Sequence, residues 1–172
     1  MTTKTTVVCL AALLGAACGS SSSTSSTTTG PQTAAPSAAS SALQAETSGY
    51  QSWPTFSENS TPKESASHMN MFVVTYHNDV VSQAISGKRL PLSDGAIIVK
   101  QNLAKATDTQ PMALTFMSKQ SGTWYWLEAT PDGKVILDSM GKPLEGTDVT
   151  MCINCHGMHA SNDDVITHDF SQ

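Results

Sequence analysis

The chain is poor in positive charge and in cysteine. Its 172 residues carry 9 Lys and Arg against 14 Asp and Glu, for a net charge of −5, and the basic residues form no cluster. Binding to phosphate backbones requires a basic patch, so the composition excludes a nucleic-acid partner. Of the 4 cysteines, Cys9 and Cys18 lie near the N-terminus, which leaves two for the rest of the chain.

The sequence also lacks an apolar run long enough for a lasting membrane span. The run from Val7 to Ala17 follows an early lysine and ends in small residues before Cys18. This layout predicts a secretory signal. The terminal cysteine predicts a lipoprotein signal over residues 1–17, with Cys18 as the lipidated first residue, although Leu14 and Gly15 depart from the usual spacing. Ordinary secretion is the alternative, and either form predicts export to the periplasm.

A segment of very simple composition follows this signal. From Gly19 to Ser41 every residue except Gln32 is Gly, Ser, Thr, Pro or Ala. Such a segment has little to bury, so we expect a disordered tether over residues 18–49. The folded domain is then expected over residues 50–172, joined to a membrane only through the lipid anchor.

The predicted domain alternates strand patterns with turn residues. Met69 to His77 is rich in β-branched and aromatic residues, which favours a strand, and Asn78 can cap a helix that ends at Gly87. Further strand patterns are GAIIVKQNLA, QPMALTFMSK, TWYWLEAT and KVILD. Their short connections favour antiparallel pairing. We therefore predict an α+β fold, an antiparallel β-meander of about five strands with packed helices and a C-terminal segment that carries the remaining cysteines.

The most informative motif is CINCH, at residues 152–156. A disulfide between its cysteines would close a very short loop and add little stability. A structural zinc site needs a second pair of ligands, for which only His159 and His168 remain. A thioredoxin-like redox pair belongs after a strand of a βαβ unit, whereas this motif ends an antiparallel meander.

Covalent attachment of one haem c explains the spacing of this motif. The thiols of Cys152 and Cys155 add to the two vinyl groups of one porphyrin edge, and His156 becomes the proximal ligand of the iron. Export agrees with this prediction, because the attachment takes place outside the cytoplasm. The last segment of the chain is therefore predicted to be a haem-attachment segment.

The other side of the iron decides the function. An electron carrier closes that side with Met or a second His, whereas a ligand-binding or catalytic haem leaves it open. The motif closes a β-rich domain rather than opening a helical one, which argues against a plain electron carrier. Each candidate sixth ligand is better explained as a core or surface residue. These candidates are Met112, Met117, Met140, His68, His77 and His168.

The order of the segments VTYHNDV, DGAIIVK, GTWYWLEATPDG and CINCH…DDVIT resembles the cytochrome P-460 family, which includes cytochrome c′-beta. The resemblance covers residues 68–167. It implies a β-rich homodimer with one c-type haem, whose iron is five-coordinate through the motif histidine. It also implies either oxidation of hydroxylamine, with a soluble cytochrome c as a redox partner, or binding of nitric oxide and carbon monoxide without catalysis.

The resemblance assigns expectations to further residues. Lys100 matches the lysine that forms an additional covalent bond to the haem edge in the enzymes. Glu145 or Asp148 matches a distal carboxylate that could act as a catalytic base. The enzymes also place an arginine before the helix, whereas the only arginine here, Arg89, lies beyond it. Enzyme status therefore stays open between a hydroxylamine oxidoreductase, a nitric oxide binder and a six-coordinate electron carrier.

Overall fold

The computed structural model describes residues 30–171, and an antiparallel sheet of eight strands forms its centre. The strands are β1 (Thr33–Ala34), β2 (Lys63–Ser65), β3 (Met71–His77), β4 (Ile97–Leu103), β5 (Ala113–Gln120), β6 (Thr123–Ala129), β7 (Val135–Ile136) and β8 (Glu145–Gly146). Their order is β1-β7-β6-β5-β4-β3-β2, and β8 pairs with β6.

The predicted α+β meander is confirmed, although the count of about five strands is too low. The five predicted strands correspond to β3, β4, β5, β6 and β7. The additional strands β1, β2 and β8 have only 2, 3 and 2 residues. Strands this short leave no alternating pattern that a sequence could reveal.

Three α-helices accompany the sheet in the described part of the chain. They are α1 (Ala38–Glu46), α2 (Asp79–Gly87) and α3 (Thr150–His156). The predicted cap of α2 is confirmed, because the Asn78 side chain accepts a hydrogen bond from the amide of Val81. The same side-chain oxygen accepts from the Ile97 amide at 3.1 Å, and the side-chain nitrogen donates to the Gly95 carbonyl at 2.7 Å. Asn78 therefore joins α2 to the start of β4.

Side chains of the central strands alternate between two buried faces. On the first face, Met117 lies opposite both Ile98 and Trp126, in a core that also includes residues of α2. On the second face, Phe116 lies opposite Val99 and Leu127, against residues of α1 and the 3-10 helix Tyr50–Ser52. The sheet is thus covered on both sides, and α3 lies on the side of the first face, where Cys152 packs against the first core.

Residues 30–49 do not form the predicted disordered tether. α1 begins after Ser37, whose side chain accepts from the Ser40 amide at 3.2 Å. Leu43 of this helix is only 2% exposed and packs in the core of the second face. The helix is also anchored by polar contacts, because the hydroxyls of Ser37 and Ser40 donate to the carboxylate of Glu145. The predicted domain start at residue 50 is therefore wrong, because the compact unit begins at Pro31.

The predicted signal over residues 1–17, the lipidation of Cys18 and the first part of the predicted tether lie outside the described residues. Within residues 30–171, no helix has the length and hydropathy needed to span a bilayer.

Candidate functional site

The helix α3 presents the CINCH motif toward the first face of the sheet. Cys152 and Cys155 are one turn apart, so both side chains lie on the same side of the helix. Both are free thiols, with Cys152 partly buried and Cys155 exposed. Burial raises the pKa of Cys152 to about 11, with a smaller contribution from Glu128. The structure therefore brings the two predicted attachment residues together at one edge of the first core.

His156, at the end of α3, is held in a defined orientation. Its Nδ1 lies 2.8 Å from the Asp164 carbonyl, which can only accept, so Nδ1 carries the proton. The edge of Trp126 packs against the imidazole, with ring centroids 4.8 Å apart. Burial lowers the pKa of His156 to about 4, which keeps the ring neutral at neutral pH. Its Nε2 lone pair is thus available to a metal, and this donor fits a haem iron.

A cavity of about 380 Å³ opens beside His156, within the size range of ligand and cofactor sites. Its apolar wall comes from the first face of the sheet and the C-terminal segment, and includes Phe56, Val73, Ile98, Met117 and Val165. Its polar wall includes Lys100, His68, His156, His159 and His168. A flat apolar macrocycle with a metal at its centre matches this combination of apolar walls and nitrogen donors.

Lys100 lies in this cavity wall, on the same face of β4 as Ile98. Its Nζ lies 2.8 Å from Nε2 of His68. Burial lowers the pKa of Lys100 to about 8. Burial, together with the nearby Lys100, lowers the pKa of His68 to about 3, so His68 is neutral and can accept the hydrogen bond. The predicted site lysine is therefore in the same cavity as the predicted proximal histidine.

Glu128 is a site residue that sequence reasoning missed. In the sheet, Thr115 of β5 lies opposite both Lys100 of β4 and Glu128 of β6, so the three form one cross-strand row. Burial raises the pKa of Glu128, and Lys100 partly offsets this effect. The available signal was the alternation in TWYWLEAT, which puts Glu128 on the face of the two tryptophans. Its relation to Lys100 required the register of three strands.

Glu145 and Asp148, the predicted distal bases, do not line the cavity. Glu145 accepts hydrogen bonds from the hydroxyls of Ser37 (2.9 Å) and Ser40, so it ties the start of α1 to β8. Asp148 is exposed and pairs with Lys142 at 3.2 Å. Proximity to the motif in sequence misled this prediction, because β8 pairs with β6 and points Glu145 toward α1 on the second face.

The candidate sixth ligands separate into two groups. His68, His168 and Met117 line the cavity. Met112 and Met140 are 56% and 92% exposed and lie outside the cavity wall, and His77 packs on Phe56 with ring centroids 4.7 Å apart.

A β-rich fold in which a cavity combines apolar walls, a neutral histidine with a free Nε2 and a Cys-x-x-Cys-His helix defines a class, the haem proteins. The family model Cytochrome P460 matches residues 47–167, and the chain belongs to this family. It is therefore a haem protein of the P460 kind, as the resemblance of its segments predicted. No curated protein and no solved structure matches the chain.

Proposed function

We propose that this chain is a mono-haem c protein that keeps one side of its iron open and oxidises hydroxylamine. The single observation that carries the proposal is the position of Lys100, which lies partly buried in the wall of the cavity that His156 lines. An ammonium group whose hydrogen-bond partner is a neutral histidine is costly to bury, and a covalent link to the haem edge would remove that charge. Lys100 is thus placed for the additional bond that the family resemblance assigns to the enzymes.

Cys152 and Cys155 would hold the haem through thioether bonds, in which each S–H adds across a vinyl group without net oxidation. His156 would bind the iron through Nε2, because Nδ1 carries the proton and donates it in a hydrogen bond to the Asp164 carbonyl. The haem would supply a redox-active iron with one open coordination position. The apolar residues of the cavity wall would exclude water from that position.

Oxidation of hydroxylamine releases electrons and protons in equal numbers. Electrons would leave to a one-electron acceptor such as a soluble cytochrome c. We assign proton acceptance to Glu128, which does not line the cavity but shares a row with Lys100 and has a pKa raised by burial. The carboxylates in the cavity wall itself are Glu58 and Glu64. Glu128 takes the role that the sequence assigned to Glu145 or Asp148.

A second candidate is a nitric oxide binder without catalysis. The observation that favours it is the absence of a guanidinium group from the cavity wall, since Arg89 is exposed after α2 and donates to the Gln83 carbonyl at 3.4 Å. The apolar part of the wall, which includes Val73, Ile98 and Met117, suits neutral diatomic ligands. A six-coordinate electron carrier would instead use His68, His168 or Met117 of the same wall.

The test is hydroxylamine turnover by the purified haem-loaded protein, with oxidised cytochrome c as the acceptor. We expect turnover in the native protein and in Lys134→Met, which removes an exposed lysine paired with Asp132. We expect Lys100→Met to lose turnover while it still binds nitric oxide, and its haem peptide to lack a link at residue 100. A native protein that binds nitric oxide but never oxidises hydroxylamine would favour the second candidate.

We further propose that the protein is a periplasmic lipoprotein anchored through Cys18, and that it is a homodimer. Export is supported by the apolar run before Cys18 and by the need to attach haem c outside the cytoplasm. Labelled palmitate should be incorporated by the native chain and not by Cys18→Ala. Sedimentation of the soluble domain should give twice the mass of one chain, and a monomer would contradict the dimer.

A further inference from the structure

Asp163, in the segment after the haem motif, is hydrogen-bonded to β5, to β6 and to the loop that precedes β4. Its carboxylate accepts a hydrogen bond from Lys119 Nζ at 2.6 Å and another from the Leu92 amide at 2.9 Å. Its backbone carbonyl accepts from the indole N–H of Trp124 at 2.8 Å. The first core and the C-terminal segment are therefore joined at one residue.

The Lys119–Asp163 pair differs from the other ion pairs of the described residues. Its side chains are only 7% and 12% exposed, and the Lys119 ammonium also lies 4.9 Å from the ring centroid of Trp124. The other pairs, Lys134–Asp132 and Lys142–Asp148, are more than half exposed. Exposed pairs contribute little to structure, whereas a buried pair loses much when one partner is removed.

The backbone beyond this pair adopts an uncommon conformation. Asp163 and Asp164 both have left-handed dihedrals, with φ of 54° and 64°. Residues other than glycine persist in this region when surrounding contacts hold them there. The two consecutive left-handed residues turn the Asp164 carbonyl back toward α3, where it accepts the proton of His156 Nδ1 at 2.8 Å.

Close packing does not hold this turn on its other side. A second cavity of about 310 Å³ lies there, lined by Lys119, Trp124, Ile153, Asp163 and Asp164 among others. Backbone hydrogen bonds hold the turn itself, since the amides of Asp163 and Asp164 donate to the carbonyls of Ala160 and His159 at 3.1 Å each. The side-chain contacts of Asp163 tie this turn to the sheet and to Leu92.

We propose that the buried Lys119–Asp163 ion pair is a positioning device for the proximal histidine. The pair fixes the Asp164 carbonyl, which in turn fixes the tautomer and the orientation of His156. This inference rests on the proposed ligation of the iron by His156. A firm hydrogen bond at Nδ1 makes Nε2 a stronger donor and stabilises the ferric state, and the pair maintains that bond from outside the iron's own ligands.

The test compares variants of the haem-loaded protein by the iron–histidine stretching band of the ferrous form and by the midpoint potential. Asp163→Asn and Lys119→Gln should shift the band to lower frequency, broaden it, and move the potential to more positive values. Lys119→Arg, which retains the charge, should recover most of the native signature. If Asp163→Asn does not fold, Lys119→Gln decides the outcome, because it leaves the contact between Asp163 and Leu92 intact.

The control separates positioning from general stability. Leu43→Ala, on the opposite face of the sheet, should lower the unfolding temperature and leave the band and the potential unchanged. A native band and potential in folded Asp163→Asn or Lys119→Gln would overturn the inference, as would the same shift in Leu43→Ala. A native ferrous protein with no iron–histidine band would overturn the proposed ligation itself, before any variant is compared.

Discussion

Lys100 is a partly buried amine whose cross-strand neighbours are Thr75 and Thr115, and burial makes its charged form costly. The site offers it a neutral hydrogen-bond partner, Nε2 of His68, rather than a carboxylate in direct contact. Burial lowers the pKa of Lys100 to about 8, so roughly a tenth of it is neutral and nucleophilic at pH 7. A link to the haem edge would start from this neutral amine and would replace an N–H and a C–H bond by a C–N bond, with two protons and two electrons passing to an external oxidant.

This pKa predicts a pH dependence for the stability of the haem-free protein. The folded pKa of about 8 lies below the ordinary lysine value near 10.4, so the unfolded chain binds more protons between these values. Stability should therefore rise across that interval relative to Lys100→Met. Thermal unfolding of both proteins measures the difference, with the exposed Lys134→Met as a control that should follow the native curve. Parallel curves for the native protein and Lys100→Met would contradict the burial of a titrating amine.

Attachment through two cysteines predicts which variants lose the haem when the protein is denatured. In a Lys100→Met background, which removes the proposed second link, Cys152→Ala or Cys155→Ala should leave the haem attached through one thioether, and the double cysteine variant should hold it without a covalent bond. Haem staining after denaturing electrophoresis separates these cases. Ser171→Ala, near the end of the described chain, should keep the native stain, and a stained band from the double variant would contradict attachment at this motif.

At the scale of elements, the sequence predicted those features that depend on neighbours along the chain. The strand patterns of β3 to β7, the cap at Asn78 and the haem motif on one helix all follow from local chemistry. The relation of Glu128 to Lys100 and the separation of Glu145 from the cavity depend on the register of three strands. Register is set by pairing between distant segments, and one sequence without a structure does not reveal it.

The cap at Asn78 is expected to contribute to the stability of α2 and of its contact with β4. Asn78→Ala removes the cap of α2 together with the side-chain contacts to Ile97 and Gly95. We expect a loss of about 1–2 kcal/mol in the free energy of unfolding, at the upper end for a cap because the side chain also bonds to β4. Chemical denaturation measures the loss. Gln83→Ala, at an exposed position of α2, should change stability by less than about 0.5 kcal/mol.

At the scale of the whole molecule, the sheet needs a cover on each face. The predicted tether contradicted this need, because its composition contains too few apolar residues to suggest a core. Leu43 of α1, together with Tyr50, provides that cover on the second face, and serine hydroxyls bind the helix to Glu145. Composition alone therefore underestimates the packing of a segment that is rich in small polar residues.

Leu43 tests this cover directly. Leu43→Ala should cost about 2–5 kcal/mol in the free energy of unfolding, because it opens a cavity in the core of the second face. Ser41→Ala, exposed on the same helix, should change it by less than about 0.5 kcal/mol. Equal stability of the native protein and Leu43→Ala would contradict the packing of α1 and would favour the predicted disordered tether.

The central claim is an iron held by His156 and open on its other side, in a haem bound covalently through Cys152 and Cys155. The most direct measurement is the absorption spectrum of the purified ferrous protein. The account predicts a high-spin, five-coordinate spectrum, with a strongly red-shifted Soret band when Lys100 is linked to the haem. Sharp low-spin bands, with His68, His168 or Met117 closing the iron, would contradict it.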